Sequence, residues 1–303
     1  MPRTRILALD GGGLRGVFTA AFLAHLENEL KEPLIRHFDL VTGTSTGSII
    51  ALGLVAGLSA QQILEGYKEA GPLIFRKRSS LLSRSMTPGH DNAALREWLQ
   101  RFFGDKTLGE SLKPVLVANF DAATGQPRVW KTDHHPELHG GSVRLMRDVA
   151  LASSAAPTYL PAVQIAGQGA YLDGGLWANN PSMLGIIEAY RYLRSPMEDI
   201  LLLSVGTGRR PIWFKYKDIV RRGAFRWARD IIELVFAAQS SATHNQARLL
   251  LKEENYLRMD VDLARNIPLD DPTEISDLEH LGRMYASENL QRVKRFLQLP
   301  PKA

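Results

Sequence analysis

The 303-residue chain contains no cysteine. Disulfides and thiolate-held metals are therefore excluded, and the usage fits a reducing compartment. Long hydrophobic runs are also missing. The longest, "SIIALGLVAGL" at residues 48–58, falls well short of the ~20 apolar residues needed to cross a bilayer. The start "MPRTRILALDGGG" has too short an apolar stretch, and no small-residue cleavage site, for a secretory leader. A soluble, cytoplasmic protein is expected, in peripheral contact with a membrane surface. No His/Asp/Glu cluster has ligand spacing and no alternating carboxylates suggest a calcium loop, so neither metal nor cofactor is expected. Internal repeats and low-complexity linkers are absent.

Acidic residues are the minority, 32 against 37 Lys and Arg, and the basic excess is concentrated. "RRPIWFKYKDIVRRGAFRWARD" (209–230) holds eight basic residues against two acids, with five aromatic residues interleaved. "FRKRSSLLSRS" (75–85) holds four basic residues and no acid. Such clusters serve as solvated helix faces, as contacts with an anionic membrane surface, or as sites for an anionic ligand. No nucleic-acid-binding motif accompanies them, so a nucleic acid polymer is not an expected partner.

At 45% hydrophobic and 23% charged residues, the chain can bury a sizeable core. "RILALD" and "FDLVTGTS" have the apolar pattern of buried strands. "VFTAAFLAHLENELKE" predicts an amphipathic helix and "TGSIIALGLVAG" an apolar one. A Ser59-capped helix follows, then a Ser, Gly, Pro and Arg-rich loop over 77–91 and a helix over "DNAALREWLQRFFG". "PVLVANFDAATGQPRVWKT" predicts two strands, "VRLMRDVALASSA" a helix and "AYLDGG" a short strand. "MLGIIEAYRYLR" predicts a helix leading into the strand "DILLLSVGTG", and "ENYLRMDVDL" a late strand. Strands alternating with helices imply a mainly parallel sheet covered on both faces. One α/β domain over residues 1–303 is expected: a motif-bearing core over about 5–210 and a mostly helical part over 211–303.

Three short segments carry chemistry. "GTSTG" at 43–47 fits G-x-S-x-G between an apolar strand and an apolar helix, the context of a nucleophile elbow. Gly43 and Gly47 would relieve collisions in the turn and leave Ser45 at its apex. A serine nucleophile needs donors for the developing oxyanion. Gly11, Gly12 and Gly13 in "DGGGLRG" can present consecutive backbone N–H groups, with the helix dipole behind them. Gly11, Gly13 and Gly16 also fit the G-x-G-x-x-G spacing of a dinucleotide site. That reading predicts an acidic residue closing the second strand, where this chain has the serine elbow. The base stays open on the residues alone. His244 follows Asp173 and satisfies the Ser-Asp-His order of an α/β-hydrolase. His134 and His135 lie between, and His25 and His280 fall within helices. Asp173, on the turn of "YLDGGLWANNP", is either a turn former or a carboxylate that takes the serine proton directly.

"DGGGLRG", "GTSTG" and "DGG", in this order, resemble the patatin-like phospholipases over roughly residues 5–210, with "ALASSAAPTYLPAV" before the aspartate and "NNP" after it. The resemblance implies a three-layer α/β/α fold and a Ser–Asp dyad without histidine. Ser45 would be the nucleophile and Asp173 its base. Gly11, Gly12 and Gly13 would form the oxyanion hole, with Arg15 as the basic member of the glycine motif, and Gly43, Gly47, Gly174 and Gly175 shaping the two turns. It further implies a lipid acyl hydrolase acting on membrane phospholipids. Some bacterial members, similar in size and in the "WKTDHHP" region, are antiphage effectors held inactive until a cyclic nucleotide binds. The basic clusters would suit such an activator as well as a membrane. The alternatives are a catalytically silent lipid-binding protein and a Ser-His-Asp esterase using His244.

Overall fold

A computed structural model of the chain describes residues 3–76, 89–209 and 214–298. The basic stretch from residue 77 to 85 and residues 210–213 lie outside the described residues. The eight-stranded sheet has the order β5-β6-β3-β2-β1-β7-β8, with β4 paired to β3 off this path. β1 (Thr4–Leu9), β2 (Leu40–Thr44), β7 (Ile200–Val205) and β8 (Tyr256–Met259) run parallel to their neighbours, and β2 runs parallel to β3 (Val115–Asp121). β4 (Gln126–Lys131), β5 (Val163–Ile165) and β6 (Gln168–Asp173) join antiparallel at the β3 end. The sheet is thus mainly parallel, as expected.

Both faces are buried, and the side chains of β1 show it. Leu7 and Leu9 belong to one apolar cluster, Ile6 and Ala8 to another on the opposite face. Because strand side chains alternate, a strand apolar at every position must be covered from both sides. α1 (Gly16–Leu30), α2 (Thr46–Val55), α3 (Ala60–Ile74) and α10 (Ile275–Phe296) build the first layer, and α7 (Ser182–Arg191) packs on the second face.

α1 differs from the expected amphipathic helix. Residues 16–24 are all buried, because α10 crosses it on the side away from the sheet. Tyr285 of α10 packs its ring against Phe18 and Phe22, centroids 5.8 and 6.0 Å away. The helical C-terminal part therefore completes the core. The predicted helix over "DNAALREWLQRFFG", the hairpin and the late strand all appear, while most of the expected loop over 77–91 lies outside the described residues. The short strand "AYLDGG" is the second half of a hairpin that the sequence reading missed. β5 and β6 turn at Ala166 and Gly167, both at positive φ (50° and 72°), the conformation of a tight hairpin turn.

Candidate active site

Strand geometry brings Ser45 and Asp173 together. β4 occupies one edge of β3 over Leu116–Asp121. β2 and β6 must then share the other edge: β2 pairs up to Thr44↔Ala118, and β6 begins at Asn119↔Asp173. The parallel strand ends where the antiparallel one ends, so their terminal residues meet head-on. Ser45 follows Thr44 directly, and Asp173 closes β6.

Ser45 adopts φ 54°, ψ −125°, a left-handed conformation that costs a non-glycine residue about 1–3 kcal/mol. The strain projects its side chain at the start of α2, whose N-terminal dipole favours negative charge there. The turn closes only because its flanking glycines lack Cβ atoms. A Cβ on Gly43 would lie 2.4 Å from the Gly47 carbonyl oxygen, and one on Gly47 would lie 2.2 Å from that of Leu9. Gly174 likewise sits against the Ala118 carbonyl and Gly175 against the Phe236 ring.

Asp173 is fully buried. Its Oδ1 accepts a hydrogen bond from the Gly175 N–H at 2.7 Å. Oδ2 has no partner in hydrogen-bond geometry. Burial pushes the carboxyl up to about 7, although the Ser45 hydroxyl and the Gly175 N–H pull it down. The serine is thus close enough to be felt by the carboxylate without forming an aligned bond to it. A base that titrates near neutrality is well matched to taking a hydroxyl proton and returning it to a leaving group.

Ser153, which the sequence reading did not single out, holds both turns. Its hydroxyl accepts from the Ser45 N–H at 2.9 Å and donates to the Ala118 carbonyl at 2.6 Å. Its own carbonyl accepts from the Gly174 N–H at 3.4 Å. Only its place in "ALASSAAP" pointed to it.

The three glycines are not equivalent. The Gly11 N–H is spent on the Asn179 carbonyl at 2.9 Å, and the following Leu14 N–H on the Leu269 carbonyl at 2.8 Å. No hydrogen bond within the described residues engages the N–H of Gly12 or Gly13. Those two N–H groups are left for a ligand. Gly11 serves by close approach, since a Cβ there would lie 3.1 Å from Ser45 Cβ and 2.3 Å from Asn179 Oδ1. Gly13 needs its freedom, with φ at +55° and the Leu269 carbonyl 2.5 Å from a Cβ position. Arg15 is buried and structural: Nε donates to the Ile267 carbonyl at 2.7 Å, and the guanidinium pairs with Glu233 of α9 (Ala224–Leu250) at 3.0 Å.

Ser45 and Asp173 open onto a cleft of about 640 Å³, open mouth included, whose walls include Leu14, Ile49, Ile74, Leu95, Trp98 and Leu160. No described residue lining it is histidine. His244 sits elsewhere, with Nδ1 2.9 Å from the Tyr256 hydroxyl. His134 lies beside Thr132 and Glu188, 3.1 Å from the latter. Among the described residues no group of three or more His, Asp or Glu side chains is placed to hold a metal.

A family model of patatin-like phospholipases matches residues 7–185. The chain belongs to that family. Three bacterial relatives are each named a cGAMP-activated phospholipase. The Pseudomonas aeruginosa protein is 37% identical, over 94% of this chain and 84% of its own length. Those of Escherichia coli and Vibrio cholerae are each 32% identical, over 99% and 98% of this chain and 94% and 95% of theirs. Among solved structures, VipD from Legionella pneumophila superposes with a TM-score of 0.50 at 13% identity, covering 96% of this chain and 67% of that one. That likeness concerns the fold. The patatin-like motifs span both turns and the glycine loop, all inside the matched residues.

The basic segment is partly internalised. Arg222 pairs with Asp230 and lies over the rings of Phe214 and Trp227, 5.0 and 5.1 Å from their centroids. Lys217, Tyr216, Val220 and Arg221 are exposed. No helix among the described residues is long and apolar enough to cross a membrane.

Proposed function

We propose that this chain is a lipid acyl hydrolase of the phospholipase A type, cleaving fatty-acyl esters of membrane phospholipids through a Ser45–Asp173 dyad. The acyl chain lies in the apolar cleft, with its ester carbonyl at Ser45. The hydroxyl attacks that carbonyl while its proton passes to Asp173 Oδ2. The oxyanion is held by the Gly12 and Gly13 N–H groups. Collapse of the tetrahedral intermediate breaks the ester C–O bond, the leaving alcohol takes the proton from Asp173, and an acyl-Ser45 ester remains. Water, deprotonated by the same carboxylate, then releases the fatty acid and restores the serine.

The observation that carries this reading is a fully buried carboxylate titrating near neutrality beside a strained serine, at one end of an apolar cleft with no histidine in its lining. The exposed basic and aromatic residues at 216–221 would bring the enzyme to an anionic bilayer. The names of the bacterial relatives support activation by a cyclic nucleotide.

The test is hydrolysis of mixed phospholipid vesicles, with and without cGAMP, with products read by mass spectrometry. Ser45→Ala should lose on the order of a million-fold in rate, whereas His244→Ala and His134→Ala should keep substantial basal hydrolysis. A histidine variant as damaged as Ser45→Ala would replace the dyad by a triad.

A further inference from the structure

A second crevice, of about 1040 Å³ with its open mouth, lies on the far side of the glycine loop from Ser45. Its floor is built by the chain leaving the carboxyl ends of three neighbouring parallel strands: Asp10–Gly12 after β1, Thr207–Arg209 after β7 and Asp260 after β8. The chain leaves β1 for β2 on one side, while β7 and β8 add on the other. This crevice therefore marks the topological switch point, where open parallel sheets bind their ligands. Its roof is one face of α9, with Ala237, Ser241, His244 and Asn245 at helical spacing.

The chemistry of the walls suits a nucleotide phosphodiester. Arg258 is locked in the floor, bonded to Asp10 at 2.6 Å and to Asp260 at 2.9 Å. Arg209 at the mouth is different: half-exposed, it holds the exposed Asp262 at 3.1 Å and Asp260 only at 3.8 Å. Surface pairs of this kind contribute little to stability, so the guanidinium can turn to an incoming anion at little cost. Burial disfavours charge on the His244 ring, and Arg258, Arg209 and Arg248 disfavour it further, against the opposing pull of Asp260. With Nδ1 engaged by Tyr256, its Nε2 is left for a ligand, as are the exposed Ser241 and Asn245.

Occupancy would be felt at the donors. A Cβ on Gly12 would lie 2.1 Å from Thr207 Oγ1, so the crevice wall presses directly on the loop that carries the Gly12 and Gly13 N–H groups. Asn179 Nδ2 donates to both Ser240 of α9, at 2.9 Å, and the Gly11 carbonyl, at 3.3 Å. A ligand that binds better to one arrangement of α9 and the loop shifts the balance toward it. A lipid headgroup fits less well. Gly11 stands between the crevice and Ser45, and among the described residues only Phe236 and Leu269 border both spaces.

We infer that this switch-point crevice is the binding site of the activating cyclic nucleotide, and that its occupancy sets the glycine loop for catalysis. The inference rests on the activation proposed above. The experiment is calorimetric titration of the whole protein with cGAMP, alongside hydrolysis of a small soluble ester. Arg209→Gln should weaken cGAMP binding at least tenfold. Ser241→Trp, an exposed helical position that tolerates bulk, should fill the crevice and abolish binding. Both should keep basal ester hydrolysis and lose its stimulation. If the parent binds cGAMP and both variants bind equally well, the site is elsewhere and this inference falls while activation stands. If the parent neither binds nor responds to cGAMP, activation itself falls and takes the site with it. Displacement of cGAMP by glycerophosphoglycerol would assign the crevice to the lipid headgroup and overturn the nucleotide.

Discussion

Asp173→Asn should inactivate this protein and stabilise it, and the stabilisation should grow with pH. The side chain is fully buried and its carboxyl is pushed from 3.8 up to about 7, burial being the largest cause. An acid whose folded pKa is raised favours the fold while protonated. Its contribution is complete below about pH 4 and is lost as pH rises through about 7. At about 1.4 kcal/mol for each tenfold step, the gap amounts to at most about 4 kcal/mol at pH 8. Asparagine keeps the shape, accepts the Gly175 N–H through Oδ1, and never ionises. At about 2 °C per kcal/mol for a chain of this size, the variant should melt up to about 8 °C above the parent near pH 8, and only about 3 °C above it near pH 5. Thermal melts at both pH values give the answer. In the parent, kcat/KM should climb through about pH 7 as the base deprotonates. A melting difference that does not change with pH, or a variant less stable than the parent at pH 8, would show that the fold welcomes the charged carboxylate, and the base would have to be sought elsewhere.

Gly12→Ala keeps the N–H, but its methyl group meets Thr207, so the loop should move the donor off the oxyanion, lowering Tm and lowering the rate by up to roughly a hundred- to a thousand-fold, the usual effect of losing one oxyanion donor. Adding Thr207→Gly should recover both Tm and rate; a Gly12→Ala variant with lowered Tm and unchanged rate would make the glycine a packing residue only. Ser153→Ala leaves the buried Ser45 N–H without its acceptor, which costs about 1–3 kcal/mol; kcat should fall by about tenfold or more with KM little changed, and unchanged kcat would remove Ser153 from the elbow's support. The exposed pair Lys217→Gln and Arg221→Gln together should weaken binding to anionic vesicles roughly thirtyfold at low salt, at about 1 kcal/mol per charge, and leave soluble-ester hydrolysis alone. Equal vesicle binding would return these residues to the role of a solvated face.

What was legible in the sequence was local. The strand–turn–helix around Ser45 announces itself because Gly43 and Gly47 answer collisions within a few residues of one another. The Asp173 turn is written in consecutive residues in the same way. What stayed hidden depends on partners far along the chain. Nothing near Gly11 says that Asn179 will take its N–H, so three glycines looked like three equal donors. Nothing near Ser153 says that its hydroxyl will bridge residues 45 and 118. α1 looks amphipathic because its few polar residues are visible in sequence, whereas α10, more than two hundred residues later, is not. The β5–β6 hairpin was missed because a three-residue strand carries too little alternation to register.

A histidine in a serine hydrolase supplies a base with a near-neutral pKa, and a third residue orients it. Here topology could supply both functions without one. Because β2 and β6 meet end to end on one edge of β3, the aspartate arrives where strands and α2 exclude water, and desolvation alone raises it toward neutrality. Orientation comes from the backbone: the Gly175 N–H fixes Oδ1 and leaves Oδ2 for the serine. That N–H is available two residues on because the chain turns tightly at Gly174, against the Ala118 carbonyl, where no side chain would fit. The "DGG" triplet would thus orient the proposed base as the third member of a triad does. Its cost is a buried carboxylate that the fold must carry ionised at working pH, and the absence of that burden is what the asparagine variant should reveal.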